Sequence, residues 1–152
     1  MTAKDRPLIQ EVYSNFATEI SKRSTCNELH VGAIVTSADF ERIYSVGYNG
    51  GIKGGDNKCD NVGIKCGCIH AEVNAMIKCS VIDKQKIMFV TTSPCEMCAK
   101  LIINAGFKAV YFSSLWKSTE GIFLIMKGGI EVLFRRDYNI FESLNNYSVL
   151  IQ

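Results

Sequence analysis

Two short motifs constrain this chain more than any other feature of its sequence. His70-Ala71-Glu72 and Pro94-Cys95-Glu96-Met97-Cys98 each follow an extended pattern and open a helical one. The spacing of Cys95 and Cys98 places both thiols on one face of a first helical turn. Together with the imidazole of His70, they would supply three ligands of tetrahedral zinc and leave the fourth position open, which is typical of catalytic zinc.

Glu72 completes the chemistry that the two motifs predict. It lies two residues from the histidine, so we expect it to carry protons beside the metal rather than to bind the metal. A Cys-x-x-Cys pair alone would equally fit a redox pair or half of a structural zinc site. His-x-Glu followed by Pro-Cys-x-x-Cys matches the signature of zinc-dependent nucleobase deaminases. The sequence therefore predicts a catalytic zinc on His70, Cys95 and Cys98, with Glu72 as the catalytic residue.

The patterns around the motifs predict an α/β fold. Apolar residues recur at helical spacing over residues 7–22, with Asp5 as the expected N-cap. Two strand patterns follow at 30–36 and 42–48, and the turn between them indicates an antiparallel hairpin. Three strand patterns then alternate with three helical ones: strands at 86–91, 109–112 and 131–134, and helices at 71–81, 95–105 and about 118–127.

Strands that alternate with helices are expected to be parallel. We therefore predict a three-layer α/β/α sandwich with a five-stranded mixed sheet, made of an antiparallel hairpin and then parallel strands. The chain is expected to form a single domain over residues 1–152, with a core at about 4–135 and a tail of 136–152 that has no assigned element. Both metal motifs would lie just past the carboxyl ends of strands, where open α/β sheets bind ligands.

Composition limits the possible partners. Seventeen basic and fifteen acidic residues give a net charge of +2, which is too small for a large footprint on nucleic acid. The longest apolar run, 122–126, is too short to span a membrane, and no N-terminal run resembles a signal peptide. We expect no membrane or nucleic-acid partner, and a cytoplasmic location, or the host-cell cytoplasm for a viral protein.

Five of the seven cysteines lie outside the second motif. Without a secretory signal, they are expected to be free thiols or metal ligands rather than disulfides. Cys79 falls within the predicted helix 71–81 and is expected to be a buried free thiol. The other four, Cys26, Cys59, Cys66 and Cys68, lie in predicted loops. Their residue type and position leave two interpretations open, ordinary loop thiols or ligands of a structural zinc.

Two segments have residues suited to phosphate. Arg23 and Ser24 follow the first predicted helix, where they would either contact a phosphate or end a solvated helix. The glycine-rich stretch 50–55 contains Lys53, and its amides and charge would suit a phosphate group. A flexible loop is the alternative interpretation of this stretch.

Five segments together resemble the deoxycytidylate (dCMP) deaminase family, over about residues 4–135. They are, in chain order, Arg23-Ser24-Thr25-Cys26, Val31-Gly32-Ala33, Gly47-Tyr48-Asn49-Gly50, His70-Ala71-Glu72 with Asn74-Ala75, and Pro94-Cys95 with Cys98-Ala99. The resemblance implies a cytidine deaminase-like fold and conversion of dCMP to dUMP, which feeds thymidylate synthesis. Two positions depart from the family pattern: Ile52 stands where proline is frequent, and Trp116 where tyrosine is frequent.

The resemblance also implies a role for individual residues. Glu72 would take a proton from water activated by zinc, deliver it to N3 of cytosine while hydroxide attacks C4, and then protonate the leaving ammonia. Asn49 would hold the sugar 3′-hydroxyl. The other implied substrate contacts are Ala71, Arg23, Ser24 and Trp116. Ordinary packing at the core or rim is the alternative interpretation of Trp116.

A second zinc, allosteric control and oligomerisation follow from the same resemblance. Cys26, Cys59 and Cys68 match ligands of a second zinc in relatives, and Cys66 would complete a four-thiolate structural site. Many family members are activated by dCTP and inhibited by dTTP, as symmetric homo-oligomers that are commonly hexamers. The implied effector site, with Mg²⁺ on the nucleotide, comprises Gly50, Gly51, Lys53 and Gly54.

Two alternatives to dCMP deamination stay open at this point. One is a deaminase that acts on another cytosine nucleoside or nucleotide, or on a base in RNA or single-stranded DNA. The other is a zinc-binding module without catalysis, which would leave Glu72 without a role.

Overall fold

The structure of the protein is a computed structural model that describes residues 5–59, 61–62, 65–82, 85–137 and 140–146. Helices and strands follow one another in the order α1 (Ile9–Ser21), β1 (Gly32–Thr36), β2 (Ile43–Tyr48), β3 (Asn61–Val62), β4 (Lys65–Cys66), α2 (Ala71–Lys78), β5 (Ile87–Thr92), α3 (Glu96–Asn104), β6 (Ala109–Ser114), α4 (Glu120–Lys127), β7 (Glu131–Asp137) and β8 (Ile140–Ser143).

Six of these strands form one mixed sheet in the order β2-β1-β5-β6-β7-β8. Strand β1 pairs antiparallel with both β2 and β5, so the predicted hairpin is confirmed. Strands β5, β6 and β7 are parallel, as their alternation with helices predicted. The parallel strands direct their carboxyl ends to one edge of the sheet, and the loops that carry both metal motifs leave from that edge.

Helices cover both faces of the sheet and give the predicted three layers. On one face, Tyr13 and Ala17 of α1 pack with Ile34, Phe89 and Tyr111 of the central strands. On the other face, residues of α2, α3 and α4 pack against the alternate side chains of the same strands. Strands buried on both faces read as continuous apolar runs, which explains why β1 and β5 lack a polar alternation.

The sheet has six strands, so the predicted count of five is wrong. The sixth strand, β8, pairs antiparallel with β7 and lies in the tail to which no element was assigned. It is an edge strand with one exposed and three half-buried residues, so it lacks the apolar run that identified the other strands. The pairing also shifts register between Arg135 and Asp137, which obscures any alternation. Residues 147–152 of the predicted tail lie outside the described residues.

Three local predictions also need correction. Helix α1 begins at Ile9 with Leu8 as its N-cap and no side-chain cap bond, so Asp5 is not the cap. Helix α2 ends at Lys78, and Cys79 is its half-buried C-cap rather than a buried interior thiol. The segment between β2 and α2, which contains three of the cysteines assigned to predicted loops, includes the short antiparallel pair β3–β4.

Helix α2 lies unusually close to the edge strand β2. A Cβ atom at Gly47 would fall 2.3 Å from the carbonyl oxygen of Ala71 and 2.5 Å from the amide nitrogen of Ala75, so this position needs glycine. At this distance α2 side chains reach the outer edge of β2. Asn74 Nδ2 donates to the carbonyl of Tyr48 at 2.9 Å, and Lys78 Nζ donates to that of Val46 at 3.5 Å. None of the helices in the described ranges is long and apolar enough to cross a membrane.

Candidate active site

The first metal motif and the second meet because α2 and α3 begin at the same edge of the sheet. His70 is the N-cap of α2, and Cys95 is the N-cap of α3. His70 Nδ1 lies 3.5 Å from Cys95 Sγ and 3.3 Å from Cys98 Sγ. Zinc–sulfur and zinc–nitrogen bonds of about 2.3 and 2.0–2.1 Å imply tetrahedral edges of roughly 3.5–3.8 Å. The three donor atoms therefore have nearly the spacing of zinc ligands.

Hydrogen bonds also link these three side chains, and a divalent cation can take the place of the protons that they share. Hydrogen bonds from Cys98 and from His70 lower the pKa of Cys95 to about 3. The same bond with Cys95, and then burial, raises the pKa of Cys98, so Cys98 keeps its proton beside the Cys95 thiolate. The hydrogen bond with Cys95 also raises the pKa of His70. Metal binding at such a cluster releases the shared protons.

Glu72 lies beside the three donors, in the first turn of α2. Its side chain is buried, with 4% of its surface exposed, and burial raises the pKa of its carboxyl group. A carboxyl group of raised pKa can both accept and donate a proton near neutrality. The structure thus places the predicted proton carrier next to the predicted ligand set.

Helix α4 supports the start of α3 by direct backbone contact. A Cβ atom at Gly121 would fall 2.0 Å from the carbonyl oxygen of Pro94 and 2.9 Å from the carbonyl carbon and oxygen of Cys95. Glycine at this position therefore lets α4 pack onto the peptide that carries Cys95, a predicted zinc ligand.

The four other loop cysteines come together in a second cluster, which we call the thiol cluster (Cys26, Cys59, Cys66 and Cys68). Cys66 Sγ lies 3.0 Å from Cys59 Sγ and 3.4 Å from Cys26 Sγ, and Cys68 Sγ lies 3.6 Å from Cys59 Sγ. All four sulfur atoms are within 4.8 Å of one another. These separations are far above the roughly 2.05 Å of a disulfide, and four sulfur ligands close a tetrahedral zinc site.

The environment of the thiol cluster differs from one cysteine to the next. Burial opposes ionisation of Cys26, but amides of Leu29 and Glu28 and the neighbouring thiols outweigh it and lower its pKa. The hydrogen bond with Cys59, and then burial, raises the pKa of Cys66. Burial is the largest cause of the raised pKa of Cys68. The cluster thus combines one thiol of lowered pKa, Cys26, with two of raised pKa, Cys66 and Cys68.

Backbone hydrogen bonds join the two ends of the segment between β2 and α2. Gly50 and Ile69 exchange two hydrogen bonds, with N···O distances of 3.1 and 2.8 Å. The adjacent Asn49 is buried, accepts from the amide of Val31 at 2.8 Å and donates to the carbonyl of Leu29 at 2.6 Å. Two bonds to the chain before β1 thus fix the orientation of Asn49.

A cleft of about 560 Å³ joins the two clusters and is within the usual size range of small-molecule sites. It is lined by members of both clusters, although not by Cys59 or Cys98, and by residues near them: Cys26, Glu28, Leu29, Val31, Asn49, Cys66, Cys68, His70, Ala71, Glu72, Thr92, Ser93, Cys95, Trp116 and Lys117. Three predicted substrate contacts, Asn49, Ala71 and Trp116, therefore line it. Arg23 and Ser24 do not.

The predicted phosphate and effector residues lie elsewhere. The guanidinium carbon of Arg23 lies 5.9 Å from the centre of the Tyr48 ring, and Ser24 Oγ accepts from the amide of Cys26 at 3.2 Å. In the predicted effector segment, Gly50 is buried, whereas Gly51, Lys53 and Gly54 are exposed and lie outside the cleft lining.

Sequence reasoning missed two charged residues of the cleft, Glu28 and Lys117. Lys117 directly follows Trp116, an implied substrate contact. Its position next to Trp116 in the sequence was therefore the available indication that it lines the cleft. The amide of Trp116 donates to Ser93 Oγ at 2.7 Å, and Lys117 Nζ lies 5.8 Å from the centre of the Trp116 ring. Because Ser93 is buried, this bond anchors the loop after β6 at the mouth of the cleft.

Comparisons with known proteins agree with this geometry. The family model of the cytidine and deoxycytidylate deaminase zinc-binding region matches residues 8–114. ComE operon protein 2 of Bacillus subtilis (strain 168) is 39% identical over 107 residues, which cover 65% of this chain and 56% of that protein. The deoxycytidylate deaminase of Mycobacterium phage D29 is 29% identical over 127 residues, which cover 70% of this chain and 95% of the phage protein.

A solved structure is also similar over nearly the whole fold. The crystal structure of the dCMP deaminase from cyanophage S-TIM5 in complex with dCMP and dUMP superposes with a TM-score of 0.78 at 33% sequence identity. The match covers 89% of this chain and 99% of the cyanophage chain. By contrast, the chain spans about half the length of most of the curated relatives that it matches.

Proposed function

The chain belongs to the family of proteins that share the cytidine and deoxycytidylate deaminase zinc-binding region, and we propose that it catalyses the hydrolytic deamination of dCMP to dUMP and ammonia. The observation that carries this proposal is the buried Glu72, which lines one cleft with His70 and Cys95 beside the cluster that these two residues form with Cys98. The likeness to a structure solved with dCMP and dUMP supports the choice of substrate.

We propose that His70, Cys95 and Cys98 hold the catalytic zinc, since their donor atoms have the spacing described above. Bound zinc would supply a Lewis acid that activates water at neutral pH. Glu72 takes a proton from water and delivers it to N3 of the cytosine ring as the C4–oxygen bond forms. It then takes the remaining proton from the C4 hydroxyl and transfers it to the amino group, so that the C4–nitrogen bond breaks, the C4 carbonyl forms and ammonia leaves.

The remaining cleft residues would orient the base and the sugar. The backbone amide of Ala71 opens α2, and first-turn amides lack an intrahelical acceptor, so it is suited to donate to O2 of the base. Asn49 is held by two bonds and keeps a second amide hydrogen and a second lone pair for the 3′-hydroxyl. Trp116 would pack against the ligand at the cleft mouth.

We also propose that the thiol cluster binds a second, structural zinc. Its four sulfur atoms suit a closed tetrahedral site, and the cluster would fix both ends of the segment that includes β3 and β4. The metal would thus stabilise one wall of the cleft, since Cys26, Cys66 and Cys68 line it.

The proposal also covers regulation by nucleotides and assembly of the chain. We infer that dCTP activates and dTTP inhibits, as Mg²⁺ complexes, through Gly50, Gly51, Lys53 and Gly54 in a homo-oligomer, with a hexamer as the expected form. A cytoplasmic site of action and one deaminase domain over the chain complete the proposal. Flat activity across a titration with dCTP and dTTP would refute the regulatory part.

The decisive experiment measures ammonia release by the zinc-loaded protein from a panel of cytosine compounds. We expect release from dCMP, and little or none from deoxycytidine, CMP or cytosine-containing oligonucleotides. If the protein releases ammonia faster from another member of the panel, that compound replaces dCMP as the proposed substrate. No release from any member, with one or more zinc ions bound per chain, would favour a metal-binding module instead.

A further inference from the structure

We propose that the thiol cluster is a reversible oxidation site, at which a peroxide joins Cys59 and Cys66 in a disulfide and thereby removes two ligands from the metal. This inference rests on the proposed structural zinc and adds a reaction that releases it. Both cysteines are free thiols in the structure. Disulfides that form and break inside cells are typically redox-sensing or catalytic rather than structural, so a reversible bond suits a chain whose cysteines are reduced.

The spacing of the sulfur atoms favours this pair. Cys59 Sγ and Cys66 Sγ are 3.0 Å apart, compared with 3.4 Å between Cys26 and Cys66 and 3.6 Å between Cys59 and Cys68. A disulfide bond is about 2.05 Å long, so the two atoms need to approach by about 1 Å. Antiparallel pairing of Asn61 with Cys66 turns the chain back alongside Cys59, so a small movement within this short segment is enough.

A small oxidant can reach this pair from two sides. Cys66 lines the cleft, and every residue of the segment 51–58, which leads into Cys59, is exposed. In the catalytic cluster, Cys98 has 1% of its surface exposed and does not line the cleft. Burial therefore shields one member of the catalytic thiol pair, whereas both members of the Cys59–Cys66 pair are half-buried.

The reaction is a two-electron oxidation by hydrogen peroxide. One sulfur attacks a peroxide oxygen, the O–O bond breaks, and a sulfenic acid forms while the departing hydroxide takes a proton and becomes water. The second sulfur then attacks the sulfenic sulfur, so that the S–S bond forms, the S–O bond breaks and another water leaves. Two thiols and one peroxide thus give one disulfide and two waters. The protons come from the thiols, or from solvent where the sulfurs are zinc-bound thiolates.

The position of the cluster connects this oxidation to the catalytic residues. A disulfide between Cys59 and Cys66 leaves two of the four sulfur ligands that a closed zinc site requires. Cys68 lies two residues before His70, and Ile69 between them exchanges backbone hydrogen bonds with Gly50. The segment that leads into the catalytic histidine therefore loses its metal anchor on oxidation, and deamination falls together with the bound zinc.

The test treats the zinc-loaded full chain with hydrogen peroxide, then measures released zinc with a chromogenic chelator and maps disulfides by mass spectrometry. Trypsin cuts after lysine, so Cys59 lies in peptide 59–65 and Cys66 lies in peptide 66–78, where fragmentation distinguishes it from Cys68. We expect a link between Cys59 and Cys66, together with release of about one of two zinc ions per chain. A dithiol reductant with added zinc should restore the free thiols, the second zinc and the activity.

Two variants complete the test. Cys59→Ser starts with the catalytic zinc alone and should release none of it under the same treatment. Cys79→Ser is the matched control, because it removes a thiol that belongs to neither cluster, and it should form the link and release zinc as the parent protein does.

A disulfide confined to another pair, such as Cys95 and Cys98, would overturn the inference, as would irreversible oxidation or the absence of any disulfide. One zinc per chain in the reduced parent protein would instead refute the structural zinc. The link between Cys59 and Cys66 would then decide on its own whether the cluster is an oxidation site.

Discussion

Replacing Gly121 with alanine should weaken binding of the proposed catalytic zinc without changing any of its proposed ligands. The new Cβ would lie 2.0 Å from the carbonyl oxygen of Pro94, and ordinary contact begins at about 3.4 Å. The two backbones must therefore separate by about 1.4 Å. The new Cβ is fixed to the backbone of α4 and its neighbour is the backbone carbonyl of Pro94, just before the N-cap of α3, so no side-chain rotation can relieve the contact.

The expected losses follow from this displacement. Overpacking of this kind costs roughly 1–3 kcal/mol, which lowers the Tm of a domain of this size by about 2–4 °C per kcal/mol. Metal–ligand distances tolerate only about 0.2 Å, so a displaced Cys95 no longer completes the set with His70. Loss of such support typically weakens metal binding by about 10–100-fold.

The assay is zinc content per chain with chelator competition, measured alongside thermal unfolding. We expect Gly121→Ala to lose zinc to the chelator at a roughly 10–100-fold lower chelator concentration than the parent protein does. Gly128→Ala is the control at the other end of α4, because its Cβ would lie 3.0 and 3.2 Å from side-chain atoms of Ile103 and 3.3 Å from the carbonyl oxygen of Ile125, contacts that shifts of a few tenths of an ångström relieve. Gly121→Ala with unchanged zinc affinity and Tm would refute the reasoning about helix contact.

Three further predictions concern the two clusters. Glu72→Gln should keep its zinc and lose deamination by about 100-fold or more; activity within about tenfold of the parent protein would exclude the proton-carrier role. Cys59→Ser should reduce zinc from about two ions per chain to one and lower stability, with Cys79→Ser as the control that keeps both, and one zinc in the parent protein would contradict the second site. Because the pKa of Cys95 is lowered to about 3, its thiolate persists above that pH, so in chelator-treated protein its alkylation rate should stay flat from about pH 5 to 8; a tenfold rise per pH unit would contradict this.

Much of the fold could be predicted because the central strands are buried on both faces. Their apolar runs, such as that of β5, distinguish them from the amphipathic helices, and alternation of the two patterns fixes the parallel order. The edge strand β8 has no such run, so its pairing with β7 depends on a tertiary contact that the local pattern does not encode. The same holds for the short β3–β4 pair, whose two-residue strands are below the length of any periodic pattern.

The site was predictable where motif spacing determines geometry. Cys95 and Cys98 share one helical turn, and His70 opens a neighbouring helix, so their proximity follows from local structure once the strand order is known. The position of Lys117 depends instead on the Ser93 hydroxyl, which binds the amide of Trp116 across two strand ends. A bond between residues 23 positions apart leaves no periodic trace in the sequence. The exposure of Arg23 beside Tyr48, outside the cleft lining, was equally invisible before the fold was known.

The side chains of Asn74 and Lys78 along the outer edge of β2 have a consequence for solubility. An edge strand with vacant carbonyl groups is a template on which another chain can add a strand and begin an aggregate. Here an amide and an ammonium group of α2 already occupy the carbonyls of Tyr48 and Val46. The charge of Lys78 would also have to be displaced before an incoming strand could pair. Growth of the sheet past β2 is therefore opposed.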